Sequence, residues 1–172
     1  MPEANGALGM YRDIFREMLR DGSDRLIYND SKDHACVLIE ELLKSAEQQV
    51  LVFCKNLGKD VWGRDEIKNA LRNVLVKHIE VEVILQKPPE QEEENETYKL
   101  LTNFGITPKI TDNTTVNANF IVVDDKAYRL EKDVDLRKGY ACANCPEAAS
   151  SLHEAFNNLR ARSKEWHPIP KT

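Results

Sequence analysis

Residues 117–124 read Asn-Ala-Asn-Phe-Ile-Val-Val-Asp. The apolar run Phe120–Val123 predicts a strand that is covered on both faces, as strands inside an α/β sheet are. Asp124-Asp125-Lys126 then predicts a hairpin turn into a second strand at 127–130. Asn117 and Asn119 precede the run and are two residues apart, so a strand would place both side chains on one face.

Helices and strands are also predicted on both sides of this stretch. Apolar residues at helical spacing predict helices at 10–20, 33–48, 65–77 and 94–104, and a closing helix that begins at Pro146. Strands are predicted at 49–54, 79–85 and 106–110, and Pro108 places the last of them at an edge of the sheet. This order predicts an α/β fold, a mixed sheet flanked by helices.

The spacing of Asn117, Asn119 and Asp124 resembles the His-x-Lys-(four residues)-Asp signature of the phospholipase D superfamily, although only Asp124 keeps the signature residue. The order of elements over residues 33–165 is similar to a single half-domain of that superfamily, as in its small bacterial nucleases. Two further segments carry the resemblance: Leu100–Ile106 ahead of the motif strand, and Asn144–Ala148 ahead of the closing helix. The resemblance implies a phospholipase D-like sheet with an extra amphipathic helix at the N-terminus.

The resemblance also implies a chemistry that this chain has lost. In active members the His attacks a phosphodiester and the Lys holds phosphate oxygens, and the amides of Asn117 and Asn119 can do neither. After the motif, active members usually carry a Gly-Ser-type segment with an Asn, where this chain has Glu131-Lys132-Asp133-Val134. Three elements are missing together, so we expect a pseudoenzyme without a cofactor. The alternative is an active phosphodiesterase or nuclease with an atypical site, which would need a substitute nucleophile.

Active single-motif members pair two motifs across a two-fold interface, so the resemblance implies a homodimer. Asn117 and Asn119 would then line a cleft between subunits, where they either hydrogen-bond a ligand or join the two subunits. We expect a binding or regulatory subunit of a bacterial protein complex. A protein is the expected partner, and nucleic acid is a second candidate.

The net charge of −5 argues against a protein that coats nucleic acid without specificity. One segment is nevertheless locally basic and contains a tryptophan: Lys55, Lys59, Trp62, Arg64, Lys68 and Arg72. Such a strip predicts phosphate contacts with the indole stacked on a base. The alternative is a surface helix of mixed charge, because acidic residues are interleaved with the basic ones: Asp60, Asp65 and Glu66.

Three segments are predicted along the chain: an N-terminal helix and linker at 1–32, the phospholipase D-like domain at 33–166 and a flexible tail at 167–172. The first helix carries an apolar stripe that must cover its own domain or a partner: Tyr11, Ile14, Phe15, Met18 and Leu19. No apolar run approaches the ~20 residues of a membrane span, and the first residues do not read as a secretory signal. We therefore expect a cytoplasmic protein without a membrane partner.

Four cysteines complete the set of candidate residues. Cys142 and Cys145 form a CxxC pair, and a zinc site would need two further ligands, for which His34 and Cys36 are the candidates. A redox pair at the start of a helix is the second hypothesis for Cys142 and Cys145. The third places them in a loop and helix cap without chemistry, and because we favour it, no metal is expected.

Overall fold

A computed structural model describes residues 2–113, 115–135 and 138–170, and for residues 2–5 and 133 it describes the backbone alone. The elements in chain order are α1 (Pro2–Asp21), β1 (Leu26–Asn29), α2 (Lys32–Ser45), β2 (Gln49–Cys54), α3 (Asp65–Val76), β3 (Glu80–Leu85), α4 (Glu96–Asn103), β4 (Lys109–Thr111), β5 (Asn119–Val123), β6 (Ala127–Asp133), β7 (Lys138–Cys142), α5 (Pro146–Ala161) and β8 (Ser163–Glu165). The predicted α/β class with a mixed sheet is confirmed.

The strands form one sheet in the order β1-β7-β6-β5-β2-β3-β4-β8. β2, β3 and β4 run parallel, and the other neighbours are antiparallel. The predicted central strand is confirmed, because β5 lies between β2 and β6. The hairpin from β5 to β6 is confirmed as well: Lys126 donates its backbone N–H to the Val123 carbonyl at 3.2 Å, and the two central residues of this turn, Asp124 and Asp125, have φ of 54° and 53°, as a type I′ turn requires.

Apolar side chains cover the two faces of the sheet separately. The larger core lies on the face of α2, α3 and α4, where it includes Leu38, Val52 and Leu71. The smaller core lies under α5 and includes Phe53, Phe120 and Phe156. β5 contributes to both cores because successive side chains point to opposite faces.

The N-terminal segment packs on the rest of the chain. Phe15 of α1 is fully buried in the larger core, so the apolar face of α1 covers its own chain. On α1, Arg12 and Arg16 also pair with the buried carboxylates of α2, Glu40 and Glu41. Residues 26–29, predicted as linker, form β1 and pair with β7.

The opposite end of the sheet also differs from the prediction. Pro108 does not mark an edge, because β8 pairs with β4 on its outer side. Next to β8, Trp166 donates its backbone N–H to the Pro108 carbonyl at 2.9 Å, and its ring packs against Tyr98. The described part of the predicted tail, 167–170, is exposed. No helix in the described part of the chain has the length and apolar content to span a membrane.

Candidate functional site

The three residues with the signature spacing do not form one site. The Asp124 carboxylate accepts the backbone N–H groups of Glu47, Gln48 and Gln49 at 2.9, 2.8 and 2.9 Å. Because β5 is antiparallel to β2, Asp124 lies where β2 begins, whereas Asn119 lies where β2 ends. At ~3.3 Å per strand residue the two are about 16 Å apart. Asp124 therefore anchors the connection from α2 to β2.

Asn117 and Asn119 are also separated from each other. Asn117 is exposed and precedes β5, which begins at Asn119, so the strand alternation predicted for the pair does not reach Asn117. Asn119 is half-buried and donates Nδ2–H to the Glu131 carboxylate at 3.1 Å. Of the three predicted site residues at this motif, only Asn119 faces the interior.

Asn119 lines a cavity of about 250 Å³ at the end of β2. The start of α2, the loop that follows β2, and strands β5 and β6 form its walls. The apolar part of the lining includes Ile39, Phe53, Trp62 and Phe120. The charged side chains described there are three cations and three anions: Lys32, Lys55, Arg129, Asp60, Glu90 and Glu131. This balance gives the cavity no net attraction for an anion.

Buried and half-buried polar side chains of three strands, β1, β5 and β6, form a network beside this cavity. Arg129 of β6 donates its Nε–H to Asn29 Oδ1 at 3.2 Å, and its Nη2 is 3.6 Å from the Glu131 carboxylate that Asn119 also contacts. Arg129 and Glu131 are 4% and 7% exposed. Burial lowers the pKa of the Arg129 guanidinium, and the adjacent Glu131 charge partly offsets this effect. The two side chains therefore lie side by side with little access to solvent.

This polar network is incompletely satisfied. Among the described side chains, buried atoms without a hydrogen-bond partner include Arg129 Nη2, Asn119 Oδ1 and Asn29 Nδ2, all of which belong to the network. Buried polar groups in native proteins are almost always paired. Free hydrogen-bonding capacity is thus concentrated beside the cavity.

The sequence matches one family, described as a domain of unknown function (DUF7931), over residues 31–168. The chain belongs to this family. Comparison of the DUF7931 sequence with curated proteins gave no match.

Solved structures identify the fold of the DUF7931 domain as phospholipase D-like. Nuc from Salmonella typhimurium, a phospholipase D family member, superimposes with a TM-score of 0.62 at 13% identity, covering 84% of this chain and 97% of Nuc. NucT from Helicobacter pylori gives 0.60 at 12% identity, with 83% and 98% covered. TrmBL2, an archaeal chromatin protein whose structure shows a novel mode of DNA binding, gives 0.64 at 9% identity, with 96% and 65% covered.

The cavity lining of the DUF7931 domain contains one thiol and one serine hydroxyl. Cys54 lines the cavity, but burial raises the pKa of its thiol to about 12, so it stays protonated. The Ser31 hydroxyl, also in the lining, accepts the His34 backbone N–H and caps α2. Among the described residues, no hydrogen bond connects either group to a side chain that could act as a base.

The basic segment is largely engaged within the protein. Arg64 pairs with Asp33 at 2.8 Å, and Lys68 pairs with Asp65 and Glu96. Arg72 donates to the nearby Asn69, whereas Lys55 and Lys59 are exposed. Trp62 is 7% exposed, packs in the larger core and lines the cavity, so stacking of its indole on a base stays a prediction.

The cysteine candidates are distributed over different elements. Cys142 ends β7 instead of lying in a loop, and it is buried, whereas Cys145 caps α5. Burial and the adjacent Cys145 raise the pKa of the Cys142 thiol to about 11. His34 stacks on Tyr11 at 4.3 Å, and Cys36 is buried on α2. The described residues contain no group of three or more His, Cys, Asp or Glu side chains arranged to hold a metal ion.

The sequence interpretation missed the Arg129–Glu131 pair. Its signal was a cation and an anion two residues apart, but the strand was predicted to end at residue 130, before Glu131. In the longer strand β6 the spacing places both side chains on one face. A buried strand with an ionic pair on one face indicates a specialised polar site, since charged side chains are rarely buried without a partner.

Proposed function

We propose that this chain is a phospholipase D-like binding module that does not hydrolyse phosphodiesters. The observation that carries the proposal is the Glu131 carboxylate, which lies in the cavity 3.1 Å from Asn119. Asn119 holds the position of the phosphate-binding Lys in the resembling signature. Two like unit charges 4 Å apart repel by about 4 kcal/mol at an effective dielectric constant of 20. Glu131 therefore opposes a phosphate where the active members of the superfamily hold one.

The alternative, a phosphodiesterase with an atypical site, lacks support at the cavity. The signature nucleophile position is Asn117, which is exposed and outside the strand. The Cys54 thiol is held protonated by burial, and a thiol without its thiolate is a poor nucleophile. These two observations favour binding over hydrolysis.

We further propose that the module is a homodimer that serves as a regulatory subunit of a cytoplasmic bacterial protein complex. The exposed apolar residues Met10 and Ile14 of α1 and Leu26 and Tyr28 of β1 support a protein interface. α1 and β1 are adjacent, because the Tyr11 hydroxyl donates to the Tyr28 carbonyl at 2.8 Å. DNA binding is a property of TrmBL2. In this acidic chain Arg64 and Lys68 form ion pairs with carboxylates of the same chain, which favours a protein partner over nucleic acid.

Stepwise restoration of the signature tests the absence of hydrolysis. The double variant Asn117→His with Asn119→Lys keeps Glu131, so we expect no cleavage of a generic phosphodiester. Adding Glu131→Gln removes the repelling charge, and we expect cleavage in this triple variant alone. Equal activity of the double and triple variants would contradict the role of Glu131, and activity of the wild-type protein would contradict the proposal itself.

A further inference from the structure

We infer that the cavity at the end of β2 binds a small uncharged molecule that presents a hydrogen-bond acceptor beside a donor, as planar carboxamides and lactams do. This inference rests on the proposed function, because a hydrolytic site would hold an anion there.

The first argument is Nη2 of Arg129, which lies 3.6 Å from the Glu131 carboxylate, beyond hydrogen-bond distance. Arg129 is 4% exposed, lines the cavity, and has no hydrogen-bond partner at Nη2 among the described residues. Its Nε–H is held by Asn29, which fixes the plane of the group. A buried donor of this kind costs free energy unless something accepts its hydrogen bond. The ligand therefore carries an acceptor that faces Arg129.

The second argument is the unpartnered acceptor on the same wall. Asn119 donates Nδ2–H to Glu131, which leaves Asn119 Oδ1 buried without a donor. The Glu131 carboxylate accepts hydrogen bonds and donates none while it is ionised. The ligand therefore also carries an N–H or O–H donor, which faces Asn119 and Glu131.

Charge and shape restrict the ligand further. An anion would meet Glu131 and a cation would meet Arg129, each at low dielectric, so a neutral molecule is favoured over either. The apolar lining, which includes Trp62 and Phe120, suits a planar ring, and the volume of about 250 Å³ limits the ligand to a small molecule. An edge with an acceptor next to a donor on a flat ring satisfies all of these conditions.

The experiment measures binding of matched probes by calorimetry and by saturation-transfer NMR. Nicotinamide carries the acceptor and donor, nicotinate replaces the donor with a negative charge on the same ring, and uracil supplies a lactam edge. We expect nicotinamide and uracil to bind, and nicotinate and inorganic phosphate to bind at least about tenfold more weakly. Absence of amide binding at millimolar concentration, or equal binding of nicotinamide and nicotinate, would overturn the inference.

Two variants and a control locate the site. Asn119→Ala should weaken nicotinamide binding at least about tenfold, whereas Asn117→Ala removes an exposed amide outside the cavity and should leave binding unchanged. Glu131→Gln keeps the shape of the side chain and should abolish the preference for nicotinamide over nicotinate. If only water occupies the cavity, it would hydrogen-bond the same atoms, and the protein would show no preference for nicotinamide over nicotinate in either the wild type or Glu131→Gln. That outcome would overturn the inference.

Binding and hydrolysis are read out separately. Cleavage of a phosphodiester by the wild-type protein would contradict the proposed function, whatever the probes do. An inactive protein that binds neither nicotinamide nor uracil would contradict only the inference about the ligand.

Discussion

Asp124 offers a sharp test of the idea that the surviving signature residue is structural. Its carboxylate accepts three backbone N–H groups, and at about 1 kcal/mol net per hydrogen bond Asp124→Ala should cost about 3 kcal/mol of unfolding free energy. That corresponds to a decrease in Tm of roughly 6–12 °C for a domain of this size. Ligand binding at the cavity, about 16 Å away, should be unchanged in the folded variant.

The neighbouring Asp125 provides a matched control. Both residues have positive φ, 54° and 53°, so the strain that alanine suffers in the left-handed region cancels between the two variants. Asp125 contacts the half-buried His153, and such a partly exposed pair contributes at most about 1 kcal/mol. Urea unfolding followed by circular dichroism measures both variants. Equal destabilisation by Asp124→Ala and Asp125→Ala would refute the anchoring role.

Three further predictions concern the N-terminal helix, pH and the thiols. Phe15→Ala should destabilise the protein by about 3–5 kcal/mol in urea unfolding, whereas Glu17→Ala, at a side chain 64% exposed, should cost less than about 0.5 kcal/mol; equal costs would contradict the packing of α1 on the domain. Burial alone would raise the pKa of the Glu40 carboxyl, but the hydrogen bonds and charges of its cationic neighbours Lys44 and Arg12 lower this pKa overall. Because the pKa of Glu40 is lower in the folded state than in the unfolded state, the ionised carboxylate stabilises the fold above the ordinary carboxyl pKa of 4.5. The urea midpoint should therefore fall as the pH drops below 4.5, and it should fall less in the Arg12→Met variant. A thiol reagent at pH 8 should label Cys145 first in the native protein. The other three thiols, those of Cys36, Cys54 and Cys142, are buried and have raised pKa values. Rapid labelling of all four cysteines would contradict this prediction.

Apolar patterning predicted most of the fold correctly, and it failed at strands that are too short, too polar or interrupted by glycine. β1 is four residues long between polar neighbours, and β8 reads Ser-Lys-Glu, so neither shows the alternation of a strand. β7 contains Gly139, where a Cβ would lie 2.7 Å from the Leu130 carbonyl oxygen, so glycine is required by the close approach of β6. Backbone pairing with neighbouring strands, which leaves no local signal, determines these three strands.

The site could be predicted only in part for a related reason. The motif spacing singled out Asn119, which lines the cavity, but it also grouped Asn119 with Asp124, which lies at the other end of β5. Spacing along a strand defines a face and a distance, and it does not say which end of the strand faces a cavity. Arg129 and Glu131 come from the neighbouring strand, and their contact with Asn119 follows from the register of β5 against β6.

Cleavage by the wild-type protein tests the central claim most directly. The substrates are single- and double-stranded DNA and RNA and a generic phosphodiester, each with and without a chelator, at high protein concentration. The carboxylate of Glu131 in the cavity predicts no cleavage above background. Chelator-resistant cleavage by the wild-type protein that disappears in Asn119→Ala would contradict the claim and would identify the cavity as an active site.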